Sequence, residues 1–378
     1  MTTIIDRYML RQFIQVLIIC LMSLIGLYIV IDAFSHLDHF IDYAGKHGSL
    51  IKIMGEYYAY RGIAFFDRTS GVLTLIAVMF TVTWIQRHHE MTALIAAGIS
   101  RTRVLRPVLM AAVCVSLAAA ANRELVMPNI REHLATDSKN IGGDEVTDMQ
   151  SRFDSETNIL IGGDKIVPAT SKIVGAAFVL PRQFDQFGKQ VTAAEARFMP
   201  AEGDRPSGYL LSGVNAPKAL LKSPWMLQDN KPIIMTPIGA NWLQKDQIFI
   251  ASGVTFEFLS SGANWSDFAS TQEMIEQLRS PSLDLGADVR FAIHTRFLQP
   301  ILDTTLLFLG LPFVVTRTNR NPFISLGLCL AVVTVFMLIT LGCKQLGTNG
   351  LLTPSLAAWL PLMIFAPIAA AASDTLRQ

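Results

Sequence analysis

Between Arg11 and Asp32 the chain runs without a charge from Phe13 to Ile31. Roughly 20 apolar residues cross a bilayer as one helix, because the hydrocarbon offers backbone groups no water to bond. The run outlasts a signal-peptide core. Asp32, Ala33, Phe34 and Ser35 follow it in place of a small-residue cleavage site, so a retained transmembrane helix is predicted. Five further runs qualify: Thr69–Ile85, Pro107–Asn122, Phe297–Thr316, Pro322–Cys343 and Ser355–Ser373. The third is short, but Leu125, Val126 and Met127 carry its apolar character past Arg123 and Glu124. The sixth contains Pro361 and Pro367 and is predicted to bend. Only 16% of residues are charged, against about a quarter in soluble domains.

Lys and Arg near span ends set orientation. The loop after span two holds Arg87, Arg101, Arg103 and Arg106 against Glu90, the loop after span four holds Arg317 and Arg320, and Arg7 and Arg11 precede span one. Placing all three on the cytoplasmic side puts both termini there and closes the alternation of six spans. The long segment 123–292 then lies outside, between spans one to three (1–122) and spans four to six (293–378). From Arg123 to Arg290 it holds 21 of the 30 acidic residues. Short β-like runs recur in it: Asn158–Ile161, Lys172–Leu180, Gln190–Phe198, Tyr209–Leu211, Gln247–Ala251 and Val254–Phe258. Turns at Gly162-Gly163-Asp164, Pro200 to Gly203 and Ser260-Ser261-Gly262 punctuate them. An amphipathic helix is predicted over Thr271–Leu278. The fold class is thus a polytopic α-helical membrane protein of six spans with an inserted, jellyroll-like β domain.

Several chemistries find no support. A net charge of +1 argues against nucleic-acid binding. Cys20, Cys114, Cys329 and Cys343 all sit in apolar runs, as buried thiols do. No G-x-x-x-x-G-K-[ST] loop occurs, so any ATP is handled by another subunit. His88-His89-Glu90 lacks the second histidine of a zincin, and loop histidines His36, His39 and His47 are a weak metal signal. No cofactor or metal is expected.

The loop after span two is the most informative stretch. In Glu90–Ser100, Met91, Leu94 and Ile95 share one face of a short helix. Gly98 suits the left-handed residue that ends it, and Ser100 suits the cap of the next helix. Such a helix either docks on a cytoplasmic partner or lies at the membrane interface. The stretch resembles the coupling region of the LptF/LptG permeases of the lipopolysaccharide exporter. Further likenesses are His294-Thr-Arg296-Phe-Leu-Gln-Pro300, Leu311-Pro312, Leu346-Gly347-Thr-Asn-Gly350-Leu-Leu-Thr-Pro354 and Ala357-Ala358-Trp359-Leu360-Pro361, in a plan of three spans, a β domain and three spans.

The resemblance implies an inner-membrane half-transporter. It would pair with a second permease of the same type and be driven by a cytoplasmic ABC ATPase dimer. It would pass an anionic lipid to a periplasmic bridge protein, with Glu90 and the helix after it (residues 86–98) contacting the ATPase. One departure is plain: where the family carries basic residues at the outer end of span one, this chain has Asp32, His36, Asp38, His39 and Asp42.

Cations still gather at outer span ends: Arg61, Arg68, Arg123, Arg296 and Lys344. They either bind an anionic head group or snorkel and pair with acids such as Asp67 and Glu124. Arg296 and Lys344 lead as lipid contacts because no acid adjoins them in sequence, whereas Asp67 adjoins Arg68. Asp303 inside span four is costly unless paired, hydrated or protonated, and its candidate partners are Arg68 or Arg296, or a helix–helix hydrogen bond through Ser70, Thr304 or Thr305. Rival readings are a membrane-anchored assembly protein and a mechanotransmitting permease.

Overall fold

The computed structural model describes residues 4–47, 49–135, 147–167, 170–203, 205–228, 231–240, 242–261, 265–282, 286–315 and 322–374. Two compact units emerge, Met1–Leu134 with Gly286–Gln378, and Ala135–Leu285.

The first unit is helical. Its helices are α1 (Ile4–Ser35), α2 (Leu37–His47), α3 (Leu50–Arg87), α4 (Glu90–Ala96), α5 (Arg101–Ala121), α6 (Met127–Ala135), α10 (Ala287–Val315), α11 (Pro322–Thr348) and α12 (Pro354–Asp374). Six are long and apolar enough to cross a membrane, one for each predicted run. Their core joins Phe13, Val78, Val82, Val108, Leu306 and Leu311. α12 continues through Pro361 and Pro367.

Two boundaries differ from the sequence reading. α3 begins at Leu50, well before Thr69, and passes straight through the polar stretch Phe66–Ser70. Its hydroxyls are hidden by donation within the helix: Thr69 Oγ1 gives to Phe65 O and Thr74 Oγ1 to Ser70 O, each at 2.7 Å. α5 likewise passes Arg123 and Glu124 through a π turn, Asn122–Val126, into α6. Residues 123–134 and 286–292, polar enough to read as part of the inserted segment, therefore belong to the helical unit.

The second unit is an antiparallel sheet of β1 (Thr147–Asp148), β2 (Arg152–Asp154), β3 (Ile159–Ile161), β4 (Lys165–Val167), β5 (Lys172–Val179), β6 (Gln190–Met199), β7 (Gly208–Ala216), β8 (Met226–Gln228), β9 (Lys231–Met235) and β10 (Gln247–Ala251). The strand order is β1-β4-β5-β6-β7-β10-β9-β8, with β3 on β5 and β2 on β3. Ile248 to Ala251 are all buried, so both faces of β10 are covered, which explains its continuous apolar run. Val254–Phe258 is not a strand. Residues Phe256–Ser261 form α7, where Phe256 and Leu259, one helical turn apart, are both buried. A run this short satisfies either period. After α8 (Trp265–Phe268), the predicted amphipathic helix is α9, Thr271–Arg279. It starts with a capping box in which Ser270 Oγ accepts from Glu273 N and Glu273 accepts from Ser270 N.

Candidate functional site

The cations predicted at outer span ends do not act alike. In the π turn, neighbouring residues reach two different helices. Arg123 donates to Asp67 of α3 through Nη2 at 2.8 Å and Nε at 2.9 Å. Glu124 accepts from Arg296 of α10 at 3.4 Å. Neighbours on a helix point about 100° apart, so adjacent side chains reach different helices. The result is a charge knot, Asp67–Arg123 beside Glu124–Arg296, binding α3, α5 and α10 together. Of the alternatives open in the sequence, pairing with Asp67 and Glu124 describes Arg123 and Arg296: the acid of Arg296 is drawn from another helix, and Asp67 serves Arg123 and not its neighbour Arg68. Arg68 and Lys344 are exposed, and Arg61 lies over the Tyr57 ring at 4.5 Å.

Asp303 is met by neither Arg68 nor Arg296. Ser116 Oγ of α5 and Gln299 Nε2, one turn back on α10, each donate to it at 2.9 Å. Thr304 and Thr305 give their hydroxyls to their own helix, to Pro300 O and Ile301 O, and Ser70 Oγ gives to Asp67 O at 3.4 Å. Gly71 of α3 lies against the carboxylate so closely that a Cβ there would strike it. The spacing Gln299–Asp303 was legible as an i,i+4 pair; Ser116 and Gly71 were not, because their contacts cross helices.

An apolar groove of about 650 Å³ opens between α1 and α3, lined by Leu21, Ile25, Ile29, Met54, Phe66 and Asn122. It ends beside the knot, since Phe66 and Asn122 directly precede Asp67 and Arg123. Asn122, which lines the groove, has its Nδ2 buried without a hydrogen-bond partner among the described residues. An unmet polar atom in an apolar groove suits a ligand with a polar head and apolar tails.

At the C-terminal end of α1, Tyr58 donates to Asp32 at 3.0 Å and the His36 ring lies 3.5 Å from the same carboxylate.

The helix of the Glu90 loop forms as Glu90–Ala96, with His89 at φ 58° before it. Gly98 N bonds Ile95 O, Ile99 N bonds Leu94 O, and Gly98 has φ +82°, a Schellman stop that glycine adopts without a Cβ penalty. The same bonds close α11 at Gly350. Ser100 holds the cap position of α5, yet its side chain makes no capping bond and its Oγ lies 3.3 Å from Thr102 Oγ1. The apolar residues also divide: Met91 is buried and Leu94 packs on the bundle core, while Ile95 is exposed. Glu90 accepts from Tyr8 of α1 at 3.2 Å. α4 is thus clamped to its own bundle and presents Thr92, Ala93, Ile95 and Ala96 outward.

The family described as "Lipopolysaccharide export system permease LptF/LptG" matches residues 7–374. The chain belongs to the LptF/LptG family. No curated protein sequence matches it. LptF/LptG membership and six apolar helices make it a multi-pass inner-membrane protein and a transport subunit of lipopolysaccharide export.

Proposed function

We propose that this LptF/LptG permease forms one half of an ABC exporter that extracts lipopolysaccharide, or a similar anionic lipid, from the inner membrane and passes it to a periplasmic bridge protein. The observation that carries the reading is the apolar groove ending at the charge knot. Acyl chains would line the α1–α3 groove, and the anionic head would meet the cations at its polar end. Arg61, Arg68, Lys344, Arg123 and Arg296 would contact the head group, Arg123 and Arg296 by exchanging part of their pairing with Asp67 and Glu124. Charge-assisted bonds of this kind are the strong ones where water is partly excluded.

Both termini and the α4 loop belong in the cytoplasm by the positive-inside preference, with the β unit in the periplasm. Glu90 and the outward face of α4 would contact the ATPase dimer, which supplies the ATP chemistry that this chain's sequence lacks. A second permease would cover α1, whose apolar window has no buried residues, and α11, whose window is 22% buried, against 56% for α10.

The test is co-purification of the full chain with a second permease and an ATPase, followed by mass spectrometry of retained lipid. ATPase together with lipopolysaccharide supports export. ATPase without lipid favours mechanotransmission, and neither favours an assembly role.

A further inference from the structure

At the opposite end of the helices from the knot lies a second cavity, of about 1250 Å³. α5 supplies one wall as a graded stripe: Arg103, Arg106, Met110 and Cys114 follow one another at helical spacing, from charge to apolar. Facing it, α1 supplies Arg7 and Leu10, and Phe308 of α10 closes the apolar part. Arg7, Arg103 and Arg106 are exposed, and none is held by a carboxylate among the described residues. One acid, Asp6, shares the lining. Pro107 adds an acceptor, because a proline has no N–H to give the Arg103 carbonyl one turn back.

Topology alone asks for arginines near this membrane face, but not for three of them around one cavity with apolar walls. We propose that this cavity binds an anionic phospholipid. Its phosphate would sit among Arg103, Arg106 and Arg7, its glycerol near the Arg103 carbonyl, and an acyl chain along Met110, Cys114 and Phe308. Arginine forks suit phosphate oxygens, and basic pockets between spans recognise anionic head groups. The site lies away from the proposed export groove and does not depend on what is exported.

The full-length permease would be reconstituted with equal phosphatidylglycerol and phosphatidylcholine and examined by native mass spectrometry. Phosphatidylglycerol should be retained preferentially. Arg103→Gln with Arg106→Gln should lower that retention about tenfold, Arg103→Lys with Arg106→Lys should keep most of it, and Arg11→Gln should not change it. A second readout uses Cys114, which lines the cavity and is exposed. With the other three cysteines replaced by alanine, maleimide should modify Cys114 more slowly in phosphatidylglycerol vesicles than in phosphatidylcholine vesicles. The Gln pair should abolish that difference. Equal retention of the two lipids, or unchanged retention in the Gln pair, overturns the proposal. So does loss of the ATPase or the second permease with lipid retention intact, since the cations would then serve a protein. Displacement of phosphatidylglycerol by added lipopolysaccharide also overturns it, because the cavity would then belong to the substrate path.

Discussion

At the residue scale, the knot is the feature with the clearest energetic signature. Asp67 is almost wholly buried, with its side chain 6% exposed and Arg123 20%. Removing one member of such a pair leaves an uncompensated charge, which costs about 3–5 kcal/mol, whereas replacing both by apolar residues costs far less. Asp67→Leu alone should therefore lower the unfolding midpoint of the purified permease sharply, and Asp67→Leu with Arg123→Met should recover most of it. If the losses simply add, the pair is not coupled. Gly71 invites a similar cycle. Gly71→Ala should destabilise by pushing Asp303 off Ser116 and Gln299, and the loss should shrink in an Asp303→Ala background where nothing is struck. In the β unit, Tyr209 donates to Val254 O at 2.8 Å, and burial, helped by nearby Asp154, holds its phenol well above 10.0. A raised acid contributes stability that is complete below the unfolded value and fades as pH climbs through it towards the folded one. Hydrogen exchange of the β unit should rise above about pH 10, and Tyr209→Phe should flatten that rise.

At the scale of elements, α4 changes how coupling variants are read. Leu94 packs inward, so Leu94→Asp buries an unpaired charge and should lose folded protein. Ile95→Asp changes an exposed position and should leave folding intact while weakening ATPase association in a pull-down. Glu90→Ala should do the same, with a modest added cost from the bond lost to Tyr8. Equal ATPase capture by Ile95→Asp and wild type would remove α4 from the coupling role. The elements also mark what sequence reasoning reaches. Six apolar runs became six long helices because length and polarity alone decide a span. Gly98 was legible because a left-handed stop is a local need. The partners of Arg296 and Asp67, and the Ser116 partner of Asp303, were not legible, since each comes from another helix and no spacing in one segment encodes it. Strands β1, β2, β4, β8 and β9 escaped for a related reason. They run only two to five residues, too short for alternation to stand out.

At the scale of the whole molecule, one crossing pattern underlies both proposed sites. The starts of α1 and α5 and the end of α12 meet around a single cavity through Arg7, Arg103 and Ser373, as six alternating crossings require. Single cysteines at Thr92 and at Lys218, both exposed, should therefore label from opposite sides of the membrane in a cysteine-free background. Lys218 should react from outside and Thr92 only after permeabilisation; the reverse would invert the assignment. The π turn adds a counting rule to this architecture. Its surplus residue fixes the phase of everything after it, so deleting Val126 should relax the turn to α and swing α6 by about 100° without unwinding it. Arg123 and Glu124, which precede the deletion, would keep the phase that α5 gives them, while the His133 ring would leave its 4.3 Å stack on Tyr60. In this permease the arithmetic of one helical turn decides which face α6 turns to its neighbours.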